Sequence, residues 1–307
     1  ALLAGVTLIP LTMLGLEIRE LIKYLLQAAT PGIEATDYTF RSDYMDTTEY
    51  MYEIFTRTGV PGKWTLALTS IESLKWEGPL GPIITNVPIF DAFDESVFDG
   101  ASAVIFFMDG GRRHEVVQEN GRRLKLVDQW ASKGVGLGFM HFGVEVIADQ
   151  AGSEFKRWIG GHYEHMHSCN PIWEPNFTVF PDHPISRGVK PFQAKDEWYF
   201  NMRFVGDMSG EKASEIEGLK FVPILTAVPS NEVRDGPYVY PKGPYPHIQA
   251  SKGRAEAMMW TVERPDGGRG FGFTGGHFHD NWANDNYRRV VLNAILWAAK
   301  VEVPEGG

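Results

Sequence analysis

Residues 103–108 read Ala-Val-Ile-Phe-Phe-Met, an unbroken apolar run. A run so short and so apolar suits a strand buried on both faces. Val116, Leu124, Val127, Trp130 and Ala131 then recur at helical spacing across residues 115–132. Residues 135–140 supply a second apolar strand, studded with glycine. Strand, helix, strand is the unit of a parallel sheet with a right-handed crossover. This unit places the chain in the α/β class. Extended along the sequence, it predicts a doubly wound, mostly parallel sheet.

Other segments fit that frame. Residues 2–9, 33–40, 64–71 and 222–228 read as strands, and residues 258–262 and 270–274 read as strands around the Pro265-Asp-Gly-Gly268 turn. Leu14, Ile18, Leu21, Ile22, Leu25 and Leu26 predict an amphipathic helix over residues 12–28. A final helix starts near Asn284 or Asp285, both good caps, and carries Val290, Val291, Ala294, Ile295, Trp297 and Ala298. Residues 41–100 and 168–255 read as irregular additions to a single domain over residues 1–307. Pro79, Pro82 and Pro88 mark the first, and many prolines and glycines make residues 229–255 a surface excursion.

Composition removes several classes of function. A net charge of −10 argues against nucleic-acid and anionic-membrane partners. No stretch reaches the ~18 apolar residues needed to span a bilayer. The single cysteine, Cys169, excludes an intramolecular disulfide and a cysteine-rich zinc module. It has no flanking base to activate it. A chain beginning at Ala1 leaves periplasmic, secreted and cytoplasmic locations open. A homo-oligomer is equally open. The aromatic share, 13% with nine Trp, weakly favours sugar binding, because indole and phenol rings combine apolar area with a polar handle.

Histidines gather where strands end. His141 follows the strand at 135–140 directly, and Gly275-Gly-His-Phe-His279 follows the strand at 270–274. Ligands of open α/β sheets bind outside the carboxyl ends of the strands. His141, with Gly143 two residues on, stands where a nucleophile elbow would hold Ser or Cys. Imidazole there suits proton transfer or metal binding. His277 and His279 would share one side of a continuing strand, with Trp282 as an aromatic wall. Between these lies His162-Tyr-Glu-His-Met-His167, whose imidazoles and Glu164 could give zinc three ligands and an open position. The competing reading is a histidine-rich surface loop. Asp196-Glu-Trp-Tyr199 offers a carboxylate beside two aromatics; adjacent acids point apart, so only one belongs in a site. A solvated acidic turn is the alternative. Gly134-x-Gly-x-Gly138 is not a dinucleotide fingerprint, and no phosphate-binding P-loop is present.

Taken together, Gly-Val-Gly-Leu-Gly-Phe-Met-His141, Trp158-Ile-Gly-Gly161, Asp182-His-Pro-Ile-Ser-Arg-Gly188, Asp196-Glu-Trp-Tyr199, Gly-Arg-Gly-Phe-Gly-Phe-Thr-Gly-Gly-His277 and Ala294-Ile-Leu-Trp297 resemble the ThuA-like, trehalose-utilisation family. The resemblance covers about residues 100–303 and keeps the family's order. It implies a class I glutamine amidotransferase-like, flavodoxin-like fold and a link to bacterial disaccharide catabolism at keto-sugar intermediates. Because His141 stands at the elbow where those amidotransferases need cysteine, glutamine hydrolysis is not expected. The family's histidine a few residues after the Gly-Gly pair is Met166 here, flanked by His165 and His167. The Ser-His-Gly-type loop expected after the first strand is absent.

The expectation from these residues is a carbohydrate-processing enzyme, a hydrolase, lyase or isomerase on keto-glycosides. His141, His277 and Glu197 are the expected catalytic groups. Tyr163, Glu164, Trp198, Tyr199, His279 and Trp282 are the expected substrate contacts, and His141, His165, His167 and His277 the candidate ligands of a divalent metal such as zinc. The rival is a non-catalytic carbohydrate-binding or scaffolding protein using the same aromatic mouth.

Overall fold

A computed structural model of the chain describes residues 101–206 and 210–307, Phe93, Phe98 and Gly100, and the backbone of four earlier strands. These four are β1 (Val6–Ile9), β2 (Lys63–Ala67), β3 (Ser73–Trp76) and β4 (Pro82–Asn86). The helix expected over residues 12–28 and the strand over 33–40 lie outside the described residues. The apolar runs that opened the sequence form β5 (Ala103–Phe107) and β6 (Gly136–Met140), paired in parallel.

Residues 141–206 hold three short ladders. β7 (Gly161–His162) pairs with β12 (Arg203–Phe204), β8 (Ile172–Trp173) with β11 (Asp196–Glu197), and β9 (Asn176–Phe177) with β10 (Phe192–Gln193). Then come β13 (Ser214–Ile216), β14 (Leu219–Ala227), β15 (Glu256–Glu263) and β16 (Arg269–Phe273). The main sheet runs β13-β14-β15-β16-β6-β5-β1-β4-β2-β3.

From β16 to β2 every neighbour is parallel; β13 to β16 at one end and β2–β3 at the other are antiparallel. The sheet is therefore mixed, with five of its nine pairings parallel and four antiparallel. The reason is local: residues 264–268 join β15 to β16 in a turn too short for a parallel crossover.

Helices cover both faces. α1 (Arg122–Ser132) and α2 (Ser153–Ile159) place Leu126, Val127, Trp130, Phe155 and Trp158 against Val104, Phe106, Leu137 and Phe139. The alternate residues Ile105, Phe107 and Met140 face the other way, onto Val290, Val291 and Ala294 of the C-terminal helix. This is the two-residue alternation of a strand buried on both sides. Two short helices, α3 (Asn231–Asp235) and α4 (Pro246–Ala250), lie in the excursion before β15, and the C-terminal helix is α5 (Asp285–Ala298). As the sequence suggested, Asn284 caps α5: its side chain accepts from the Asn286 and Tyr287 N–H groups.

The helix expected over 115–132 is shorter. Asn120 and Gly121 adopt positive φ (50° and 79°), so α1 starts at Arg122 after a series of tight turns. Gly270 shows why glycine recurs in these strands. A Cβ there would stand 2.1 Å from the Trp158 carbonyl, so its absence lets α2 press onto the sheet.

Candidate functional site

Parallel β6 and β16 end together. Met140 pairs with Phe273, so His141 and Thr274 emerge side by side at the carboxyl edge. His141 has φ +48, a left-handed conformation uncommon for a side chain of this size, and begins a tight turn over His141–Val144. Strain of this kind is held in place by surrounding contacts and recurs at active sites. Here the contact is between neighbours at the edge: His141 Nδ1–H donates to the Thr274 carbonyl at 3.1 Å. That bond fixes the tautomer and leaves Nε2 as the basic nitrogen.

Around Nε2 three other side chains converge. The Tyr199 hydroxyl donates to it at 3.2 Å. His277 Nδ1 lies 3.3 Å from it and 2.8 Å from Glu197 Oε2. Glu197 Oε2 is itself 4.0 Å from His141 Nε2, and its other oxygen accepts from the Asn170 amide at 2.7 Å. His141 and Glu197 are buried, while the His277 side chain is 44% exposed, so the cluster meets solvent through His277.

Asp196 builds this arrangement without entering it. Its buried carboxylate accepts from the backbone N–H groups of Gly276 (2.9 Å), His277 (3.1 Å) and Phe278 (3.0 Å). It also takes the Glu197 N–H, the Asn281 amide and the Tyr287 hydroxyl. Hydrogen bonds to a charged acceptor are about twice as strong as neutral ones. The two adjacent acids thus divide their work: Asp196 pins the loop that carries His277, and Glu197 meets its ring.

Burial sets the electrostatics. It lowers the His141 pKa, against the opposing pull of the Glu197 and Asp196 charges, which favours the neutral ring. Burial raises the Tyr199 hydroxyl well above its ordinary value, helped by Glu197. Glu145, four residues past His141, is pushed up to about 7, first by burial and then by the Glu197 charge. Its backbone bridges to Tyr163, whose buried hydroxyl has no hydrogen-bond partner among the described residues and whose ring packs edge-on against Tyr199 at 5.2 Å.

The structure therefore brings together His141, His277, Glu197, Tyr199 and Tyr163 from the expected set. Of the others, His279 borders the cluster and the rest are held elsewhere. Trp198 and Trp282 are fully buried core residues and cannot wall an open mouth. Trp198 spends its indole N–H on the Ala194 carbonyl. Glu164 is held by Arg203 through bonds of 2.7 and 3.2 Å. His279 opens a tight turn over His279–Ala283 instead of continuing a strand; its ring lies 5.9 Å from Phe107, and its pKa is lowered first by burial and then by the charges of His141 and His277, so it borders the cluster. His165 lies against Tyr240, and His167 stacks on His247 and meets Asn201. Among the described residues, the set able to hold a metal is His141, Glu197 and His277, with ligand atoms within 4.8 Å of one another. His165 and His167 are outside it. The sequence reading also missed Asn170, Glu145 and the stapling role of Asp196. Only Glu145 left a signal, its place on the turn directly behind the elbow histidine. Among the described helices, none is long and apolar enough to cross a membrane.

Fold and site together define an α/β protein with a histidine–carboxylate centre at the carboxyl edge of a mixed sheet. The trehalose-utilisation family, ThuA, matches residues 84–298, and the chain belongs to it. Two solved structures are similar across nearly the whole chain. One is a ThuA-like protein from Bacteroides uniformis, with 11% identity, TM-score 0.52, and coverage of 97% of this chain and 92% of that one. The other is a ThuA-like protein from Parabacteroides merdae, with 14% identity, TM-score 0.52, and coverage of 98% and 91%. At such identities the likeness speaks for the fold alone. A search of curated proteins gives no match.

Proposed function

We propose that this protein is an enzyme of bacterial carbohydrate catabolism that acts on a keto-sugar or keto-disaccharide by proton transfer. The observation that carries the reading is the convergence of His141 Nε2, His277 Nδ1 and Glu197 Oε2 from three separate segments at the carboxyl edge. Three titratable groups in mutual contact, opened to solvent on one side, are what acid–base chemistry requires. Membership of a trehalose-utilisation family supports a sugar as the substrate class.

The carbon beside a sugar carbonyl carries an acidic proton. His141 holds an unprotonated Nε2 for that proton because Thr274 occupies its other nitrogen. Glu197 orients His277 and balances the charge of a protonated imidazole. Glu145, near its midpoint at neutral pH, is suited to return a proton to the departing or rearranging oxygen. Enolisation, isomerisation and β-elimination all follow from the first step. Glutamine hydrolysis does not, because the elbow holds His141 and not a cysteine.

A divalent ion such as zinc fits the same three atoms. Tetrahedral ligands at zinc's usual bond lengths of ~2.0–2.1 Å stand roughly 3.3–3.4 Å apart. The separations here are 3.3, 4.0 and 2.8 Å, and two further supports match a metal site: the Thr274 carbonyl behind His141 and the Asn170 amide behind Glu197. Bound there, the ion would occupy the His141 Nε2 lone pair and polarise the sugar carbonyl, so removal of the neighbouring proton would fall to a different group such as Glu145. As part of this proposal we group the fold with doubly wound, amidotransferase-like proteins. The packing of α1 and α2 on one face and α5 on the other supports that grouping.

Turnover of a 3-keto-glycoside by the purified protein, compared with His141→Ala and His277→Ala, tests the reading. Conversion by the wild type and loss in both variants is the expected result. Equal rates in all three would overturn it. Sugar binding by the wild type with no product after long incubation would favour a binding protein instead.

A further inference from the structure

We propose that Tyr240, with His165 and Met166 beside it, forms a platform on which the second ring of a disaccharide stacks while the first ring sits at His141, Glu197 and His277. The inference rests on the reading of that cluster as the reactive centre.

Exposure is the first observation. Tyr240 is 70% exposed and Met166 is 55% exposed. Large apolar side chains on a surface are unremarkable one by one; gathered together they mark an interaction site. These two are gathered by His165, which precedes Met166 in the chain and whose ring lies 5.9 Å from that of Tyr240 at a 31° tilt. The Tyr245 hydroxyl fixes Met166 from below, donating to its sulfur at 3.7 Å.

Rigidity is the second. Asn170 holds the Tyr240 segment twice: its side-chain carbonyl accepts the Tyr240 N–H at 3.2 Å, and its backbone carbonyl accepts the Val239 N–H at 3.2 Å. Tyr238, two residues earlier, is buried and donates its hydroxyl to the Arg234 carbonyl. An exposed aromatic on a fixed backbone is already ordered for a ligand, which lowers the entropic cost of binding.

Position is the third and decides the occupant. The same Asn170 that accepts from Tyr240 donates to Glu197 at 2.7 Å, and Glu197 meets His277 at 2.8 Å. One side chain, Asn170, therefore joins the backbone that carries Tyr240 to the reactive carboxylate, and a two-ring sugar is the occupant that would engage both. A pyranose has an apolar C–H face and a rim of hydroxyls. A flat phenol ring with a polar edge, open to water and bordered by an imidazole, suits such a face.

Calorimetric titration with trehalose and with glucose tests this in the full chain, using wild type, Tyr240→Ala and Tyr240→Trp. The expected result is that Tyr240→Ala weakens trehalose binding by about tenfold and leaves glucose binding unchanged, while Tyr240→Trp retains trehalose affinity. Equal loss for both sugars, no loss for either, or no binding of trehalose by the wild type would overturn it. Turnover separates this claim from the catalytic one. Trehalose bound through Tyr240 without conversion of any keto-sugar would keep the platform and remove the catalytic reading. Conversion of a keto-disaccharide with KM unchanged in Tyr240→Ala would keep the catalysis and remove the platform.

Discussion

Asp196 and His277 stand far apart in the chain, yet the Asp196 carboxylate accepts the His277 backbone N–H at 3.1 Å and the N–H groups on either side of it. A buried carboxylate with six donors is a structural joint. Removing it strands those donors in the interior. Asp196→Ala is expected to cost about 3–5 kcal/mol of stability, and Asp196→Asn roughly half of that. Urea unfolding midpoints measure both. An unchanged midpoint for Asp196→Ala would show that the joint carries no weight.

Tyr199 separates chemistry from packing. Its ring supports the site and its hydroxyl reaches His141 Nε2 at 3.2 Å. Tyr199→Phe keeps the ring and deletes the donor. Activity on a keto-sugar is expected to fall by roughly an order of magnitude or more, with stability changed by about 1 kcal/mol or less. Steady-state rates and a thermal melt, taken on the same preparation, check both halves.

The donor set at His141, Glu197 and His277 makes its own prediction about metals. Protein stripped with a chelator and titrated with zinc is expected to take up one ion per chain. Glu197→Gln and His141→Ala should each weaken it by about a hundredfold or more. His167→Ala should leave the affinity unchanged, because His167 meets Asn201 and His247 instead. Equal zinc affinity in Glu197→Gln and wild type would exclude this trio as the ligands.

Acid sensitivity follows from His114. Its Nε2–H donates to the Gly143 carbonyl and its Nδ1 accepts the Val116 N–H, both in the core. Burial lowers its pKa from 6.5 to about 4, so the unfolded chain takes up a proton before the folded one does. The stability it contributes is present above pH 6.5 and drains away as the pH falls towards 4. At pH 5 the loss from this residue is about 2 kcal/mol. His162 and His183, both also lowered to about 4 by burial, act in the same direction. Unfolding free energies at pH 7.5 and pH 5.0 test it. Equal values at the two pHs would contradict it, and a His114→Gln variant should have a smaller difference than wild type.

Parts of this architecture were legible in the sequence because they are local. The apolar runs of β5 and β6 and the Asn284 cap of α5 declare themselves within a few residues. The start of α1 was not legible, since the periodicity of Val116 and Leu124 says nothing of the positive φ at Asn120 and Gly121. Trp198 and Trp282 were misread as pocket walls because aromatic content does not say which side of a layer a ring faces. His141 and His277 could be placed at one edge from their strands alone. The division of labour between Asp196 and Glu197, the raised pKa of Glu145 and the link from Tyr240 through Asn170 depend on contacts between distant segments, and only the folded chain creates them.

The most direct test of the central claim is hydrogen exchange in deuterated water. A 3-keto-glycoside incubated with the protein is expected to gain deuterium at the carbon beside its carbonyl, at a rate that falls by about a hundredfold or more in His141→Ala and Glu197→Gln. Deuterium uptake no faster with the wild type than with either variant would contradict the account.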